Sequence, residues 1–195
     1  LFLLPIQDRD PVRPYSIASP PGVTTRFDLC LNLIQDGPGS SFLFGLEPGA
    51  VLPFTGPWGT FVLRGPTESP KAFIATGTGI APIRAQIHWL FGKGFSGEAW
   101  LIFGAREEQE ILYGEEWEKL AGERSHFHYL PTLSKPGGNW QGHRGYVQVQ
   151  LERHLLKRTD MEYYLCGRRA MVEEVRGILK DWGLERRQVR FERYD

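Results

Sequence analysis

The stretch Phe73-Ile74-Ala75-Thr76-Gly77-Thr78-Gly79-Ile80-Ala81-Pro82 leaves this chain few choices of fold. An apolar run from Ala72 to Ala75 ends at two glycines, and beyond Pro82 apolar residues recur at Ile83, Ile87, Leu90 and Phe91, the spacing of one helix face. The pattern predicts strand, tight turn, helix. Glycines at such a turn let the backbone approach a ligand, and the free N–H groups and positive dipole end of the helix favour a phosphate or pyrophosphate. Pro82 stands where the Gly-x-Gly-x-x-Gly fingerprint has its third glycine, so a plain connection stays open beside phosphate binding.

The segment Gly65-Pro66-Thr67-Glu68-Ser69-Pro70 marks a boundary, because the pattern changes across it. After it, strands are expected at 71–75, 98–103, 126–132, 161–165 and 188–194, and helices at 82–92, 114–121, 146–156 and 169–182. Strands alternating with helices predict a parallel sheet, whose ligands collect beyond the carboxyl ends of the strands. Those ends are Thr76-Gly77, Gly104-Ala105-Arg106, Leu133-Ser134-Lys135 and Cys166-Gly167-Arg168, and three of them carry a basic residue.

Before the boundary, short apolar runs at 1–6, 15–18, 27–34, 51–54 and 61–63 alternate with turn residues, which predicts an antiparallel sheet or barrel. Alternation from Phe27 to Leu33 puts Cys30 on the face opposite the leucines. One short helix is expected to start at Ser40 or Ser41, its serine capping the helix or facing a phosphate. The chain begins without Met at Leu1-Phe2-Leu3-Leu4, as though a strand were entered partway, the mark of a fragment or a processed product.

Lys plus Arg equals Asp plus Glu at 23 each, so no overall field draws the chain to nucleic acid or an acidic membrane. With no apolar stretch near about 18 residues and no leader pattern, the chain reads as cytoplasmic and without membrane insertion. Cys30 and Cys166 are the only cysteines; they read as reduced thiols and are too few for a four-thiolate iron–sulfur cluster. His126, His128 and His143 have no carboxylate or cysteine clustered with them in sequence and read as packed or solvent-facing, so no metal site is expected. The acidic run from Glu107 to Glu118 reads as a solvated face at a helix start, with a docking surface as the alternative.

Arg13-Pro14-Tyr15-Ser16, the Phe73–Pro82 turn, Gly104-Ala105-Arg106, Cys166-Gly167 through Met171, and Phe191-Glu192-Arg193-Tyr194 resemble, in order, five motifs of the ferredoxin–NADP reductase family. The resemblance implies an FAD-binding antiparallel β-barrel over 1–66, followed by an NAD(P)-binding α/β parallel-sheet domain over 67–195. Only 12 residues precede the first motif, so the barrel is expected to lack at least one strand.

By that resemblance Arg13 binds flavin phosphate, Tyr15 packs on the isoalloxazine and Ser16 hydrogen-bonds near the hydride-accepting nitrogen. Gly39, Ser40 and Ser41 resemble a second flavin-pyrophosphate contact, which favours FAD over FMN. Thr76, Gly77, Thr78 and Gly79 would take the nucleotide pyrophosphate, and Arg106, Gly167 and Met171 stand in further nucleotide-binding blocks. Cys166 and Glu192 would flank the nicotinamide, completing a catalytic set with Ser16, and Tyr194 resembles the aromatic that covers the flavin until nicotinamide displaces it. Read without the family, Arg13 to Tyr15 is a strand with an ion pair and a packed aromatic, and Cys166 is a core residue.

The implied activity is hydride transfer between NADPH and FAD, with single electrons passed to or from a ferredoxin, a flavodoxin or another one-electron carrier protein. Ser134, Lys135, Arg144 and Tyr146 resemble the family's 2′-phosphate and adenine contacts with the two cations exchanged. No acidic residue lies in 133–146, so NADP is expected, NAD being the alternative; read plainly, this stretch is a solvated turn. Two other functions stand beside this one: the reductase component of a multi-subunit oxygenase or other redox complex, and a nucleotide-binding module without catalysis.

Overall fold

The computed structural model describes residues 2–3, 13–22, 25–64 and 68–194. Before the boundary, β1 (Phe2–Leu3) pairs antiparallel with both β2 (Arg13–Pro14) and β3 (Phe54–Thr55), and one further bridge joins Ile17 to Leu29. The described residues of this half therefore form short antiparallel pairings and do not close a barrel. Most of the expected 1–6 strand, and Gly65, Pro66 and Thr67 of the boundary, lie outside them. No continuous strand runs over 27–34, where Phe27 and Leu33 are exposed; Cys30 instead packs against the core of the second half.

The short helix α1 is Pro38–Phe44, so it starts earlier than either serine. Proline suits a first helical turn, where its missing N–H costs no bond. Ser40 lies inside that turn rather than at the cap, and its hydroxyl receives the N–H of Ile34 at 3.0 Å.

After the boundary come β4 (Lys71–Thr76), α2 (Ile80–Gly92), β5 (Ala99–Ala105), α3 (Gly114–Glu123), β6 (Phe127–Leu133), β7 (His143–Arg144), α4 (Val147–Leu155), β8 (Glu162–Arg168), α5 (Arg169–Asp181) and β9 (Val189–Tyr194). The six strands make one parallel sheet in the order β7-β6-β5-β4-β8-β9. The five expected strands and four expected helices are all present, shifted by one or two residues at most ends; β7 was not foreseen.

Side chains of the central strands alternate between two cores. Phe73, Ala75, Leu101, Phe103, Tyr164 and Cys166 face one side with α2 and Trp117 of α3, while Ala72, Ile74, Ile102, Tyr163 and Leu165 face the other with α4 and α5. The edge strand β9 is registered by the turn before it. Gln188 donates to the Thr159 carbonyl at 2.7 Å and accepts from the Glu185 N–H at 3.0 Å, which fixes Cys166 opposite Glu192 and Arg168 opposite Tyr194.

At the opposite end of the sheet Lys71 is fully buried and pairs with Glu162 at 2.9 Å. The Tyr164 hydroxyl donates to the same carboxylate at 3.1 Å and receives the Arg64 N–H at 3.2 Å, joining the last described residue before the boundary to the sheet. Removing one partner of a buried pair leaves a charge without its counter-ion. Glu162→Ala is therefore expected to cost about 3 kcal/mol. A urea titration checks this, with the midpoint lowered and the slope unchanged.

Candidate functional site

A cleft of about 1290 Å³ lies between the two halves. Arg13, Tyr15, Ser16 and the Gly37–Ser40 turn line it from one side, and Thr78, α2, Glu192 and Tyr194 from the other. Its Arg13 wall depends on Gly39, where a methyl group would come within 2.5 Å of the Tyr15 hydroxyl and 3.1 Å of Arg13 Cγ. Glycine there leaves the Tyr15 hydroxyl and the Arg13 side chain in their places, which a larger residue would shift. Burial raises the Tyr15 phenol above its ordinary pKa, against the nearby Arg13 charge. Ser40 is buried and Ser41 exposed, so of the two hydroxyls the Ser40 one is used within the turn.

Ser16 is the meeting point of the halves. Its hydroxyl donates to Glu192 Oε1 at 2.9 Å and receives the Tyr194 hydroxyl at 2.6 Å. Cys166, fully buried on the neighbouring strand, lies against both: burial first, and then the Glu192 carboxylate, push its thiol well up. The Tyr194 phenol is raised by burial and by Cys166. Burial thus favours the neutral thiol and the neutral phenol.

Beneath this cluster the carboxyl ends of β4 and β8 touch. A methyl group on Gly79 would lie 2.5 Å from the Cys166 carbonyl carbon and 2.7 Å from Gly167 Cα, while one on Gly167 would strike the Thr76 hydroxyl. Gly77 has φ +53° with open space around it, so it makes the turn rather than the contact. Met171 is buried in the second core below Gly167 and does not line the cleft.

The remaining predicted residues gather further along the same edge of the sheet. The Ser134 and Lys135 N–H groups bond the Ala105 and Arg106 carbonyls at 3.1 and 2.8 Å, and Gly145 N–H bonds the Leu133 carbonyl at 2.8 Å. Those bonds bring Arg106, Lys135, Arg144 and Tyr146 to neighbouring strand ends. Arg144 donates to the Trp140 carbonyl at 2.8 Å, and its backbone carbonyl receives buried Gln150 at 2.9 Å. The Arg106 fork is engaged by Glu110, 2.7 Å away.

Arg168, at the expected strand end, lines the cleft, while sequence reasoning missed Trp58, Gln86 and Trp89. Trp89 and Gln86 sit on the helix after the glycine turn, where helical spacing alone could have turned them toward the first half. Trp58, in the Gly56-Pro57-Trp58-Gly59 segment, carries no such periodic signal. In the acidic run Glu107, Glu108, Glu115 and Glu118 are exposed, as expected of a solvated face; Glu116 differs, being half-buried, accepting from Arg84 at 2.8 Å and lying 2.5 Å from His88 Nε2.

Comparison with known proteins bears on the whole chain. Residues 73–177 match the oxidoreductase NAD-binding domain family and residues 1–63 the oxidoreductase FAD-binding domain family. Ferredoxin–NADP reductase B of Sorangium cellulosum is 38% identical over 201 residues, covering 100% of this chain and 82% of that protein. One component of the Na(+)-translocating NADH-quinone reductase of Actinobacillus pleuropneumoniae is 34% identical over 159 residues, covering 78% of this chain but only 39% of the relative. Among solved structures the cytochrome P450 reductase GcoB of Amycolatopsis superposes with a TM-score of 0.89 at 23% identity, covering 98% of this chain and 58% of that one, a likeness of fold. No helix among the described residues is long and apolar enough to cross a membrane. The chain belongs to the ferredoxin–NADP reductase family and is an oxidoreductase that works with FAD and a nicotinamide nucleotide.

Proposed function

We propose that this chain carries hydride from NADPH to FAD in the cleft between its halves and hands single electrons to a ferredoxin or flavodoxin. The observation that carries the reading is the Ser16 hydroxyl, bonded to Glu192 and Tyr194 beside buried Cys166, so that the flavin motif and the nicotinamide motif meet in one cluster. The division at 66/67 into a flavin barrel and a nucleotide domain is part of the same proposal, supported by family matches that end at 63 and begin at 73.

The residues present fit FAD. The cleft is large, its wall is cut back at Gly39, and Arg13 stands at its edge with a planar fork of donors suited to a phosphate. When bound, FAD supplies the conversion between a two-electron hydride donor and a one-electron carrier. The chain supplies placement. Ser16 uses its one proton toward Glu192 and one lone pair toward Tyr194, leaving one lone pair for a further donor. Tyr194 lines the site, and the fully buried Cys166 lies against it from beneath. Gly77 to Gly79 offer the nucleotide a close backbone approach.

A second reading, the reductase component of a larger redox complex, is favoured by the similarity to part of the NADH-quinone reductase. The test is direct. Purified protein is mixed with NADPH and either ferredoxin, flavodoxin or a quinone, and the reduction rate of each acceptor is followed. Ferredoxin or flavodoxin reduction far above that of quinone supports the first reading; the reverse order supports the second.

Individual residues carry their own expectations. Arg13→Ala removes a charged hydrogen bond worth on the order of 1.5–3 kcal/mol, so FAD affinity falls roughly ten- to hundredfold, measured by flavin retained on dilution. Cys166→Ala and Glu192→Gln slow flavin reduction in stopped flow, by up to about a hundredfold if the rings are displaced, while the flavin spectrum stays nearly intact. Ser134, Lys135 and Arg144 share the 2′-phosphate, and two charged bonds of about 1.5 kcal/mol each give roughly a hundredfold preference for NADPH. That preference, read as the ratio of kcat/KM for NADPH and NADH, is lost in Lys135→Ala/Arg144→Ala.

A further inference from the structure

Helix α2 begins at the nucleotide turn, and its second turn reaches across to the flavin half. Arg84 Nη1 donates to the Ala18 carbonyl at 3.0 Å, two residues beyond Ser16. Two residues further along the helix, Gln86 Nε2 donates to the Phe61 carbonyl at 2.9 Å. The same helix therefore touches the nucleotide turn at one end and two separate segments of the flavin half along its length.

Arg84 is held in this pose from every side. Its Nε and Nη2 bond the Glu116 carboxylate at 2.8 and 2.9 Å, its guanidinium carbon lies 4.5 Å from the centre of the Tyr113 ring, and Asp28 is 3.8 Å from Nη1. Glu116 is itself fixed by His88, whose ring stacks on buried Trp117. The side chain is 16% exposed. A guanidinium with its fork bound to α3 and its remaining arm on Ala18 cannot swing without breaking several charge-assisted bonds at once.

We infer that Arg84 is a positioning residue for hydride transfer: it sets the spacing between the flavin-side Ser16 segment and the nucleotide turn of Gly77 to Gly79, with Gln86 as a second tie. Neither the flavin motif nor the nucleotide motif contains it. Its effect falls on the rate of transfer rather than on the affinity for either cofactor, because reacting atoms lose rate steeply when displaced by about 1 Å. The inference rests on the reading of the cleft as the place where flavin and nicotinamide meet.

The test uses the FAD-loaded protein and three variants, Arg84→Met, Arg84→Lys and Gln86→Leu. Flavin reduction is followed in stopped flow over a range of NADPH concentrations, separating the nucleotide Kd from the limiting rate, with 4-deuterated NADPH to show that the limiting step is hydride transfer. Arg84→Met is expected to lower the limiting rate at least tenfold with Kd changed less than twofold. Arg84→Lys, which keeps a donor for Ala18, is expected to recover part of the loss, and Gln86→Leu to show a smaller loss of the same kind. A limiting rate equal to that of the wild type, even with a lowered melting temperature, would overturn the inference and leave the clamp as purely structural. A loss confined to Kd would overturn it as well. Failure of the wild type itself to be reduced by either nucleotide would instead overturn the reading of the cleft.

Discussion

The backbone contact between the glycine turn after β4 and the end of β8 sets the geometry of everything above it. Gly79 lies against the Cys166 carbonyl and Gly167, and neither glycine has room for a side chain. Interiors this dense do not yield gradually; an added methyl would push one strand end off the other. Because the strand ends touch, Cys166 is held under the cleft, and strand pairing then places Glu192 beside it. A turn that resembles a phosphate cradle thus serves as a spacer between two strands.

The polar groups of the molecule are distributed by that frame. Lys71, Glu162 and Tyr164 form a buried knot at one end of the sheet, where they fasten Arg64. At the other end Ser16, Glu192 and Tyr194 form a hydrogen-bonded cluster at the cleft. Arg84 and Gln86 run between the halves along the side of α2. Each tie is a side chain bonded to a distant backbone or side-chain partner, which gives direction as well as attraction.

The nucleotide half was legible in sequence because its strands bury both faces and its helices bury one. The run from Ala72 to Ala75 and the spacing of Ile83, Ile87, Leu90 and Phe91 carry that reading. The two-residue β7 was invisible, since His143-Arg144 has no period to detect and is held by bonds from Thr132 and Gln150 to neighbouring carbonyls. The flavin half was poorly legible for the opposite reason. Its described strands are two residues long, and Phe27, Leu33 and Phe54 remain exposed, so alternation there does not report a buried face. At the site, motif residues such as Ser16 and Glu192 were readable through their neighbours in sequence. The ties of Arg84 and Glu116 were not, because they join residues 32 positions apart with no shared motif.

The turn at Arg186–Gln188, pinned by Gln188 to the Thr159 carbonyl, has a consequence for how this chain can change length. Strand side chains alternate, so a one-residue slip exchanges the faces of β9. It would carry Glu192 away from Ser16 and bring Phe191 or Arg193 to its place, replacing a carboxylate with a ring or a cation. A single-residue shift of β9 set off between Trp182 and Val189 therefore changes both the face and the charge presented to Ser16, whereas a two-residue shift keeps the face and brings Arg190 or Tyr194 to the place of Glu192. Odd and even changes in that surface turn are not equivalent mutations.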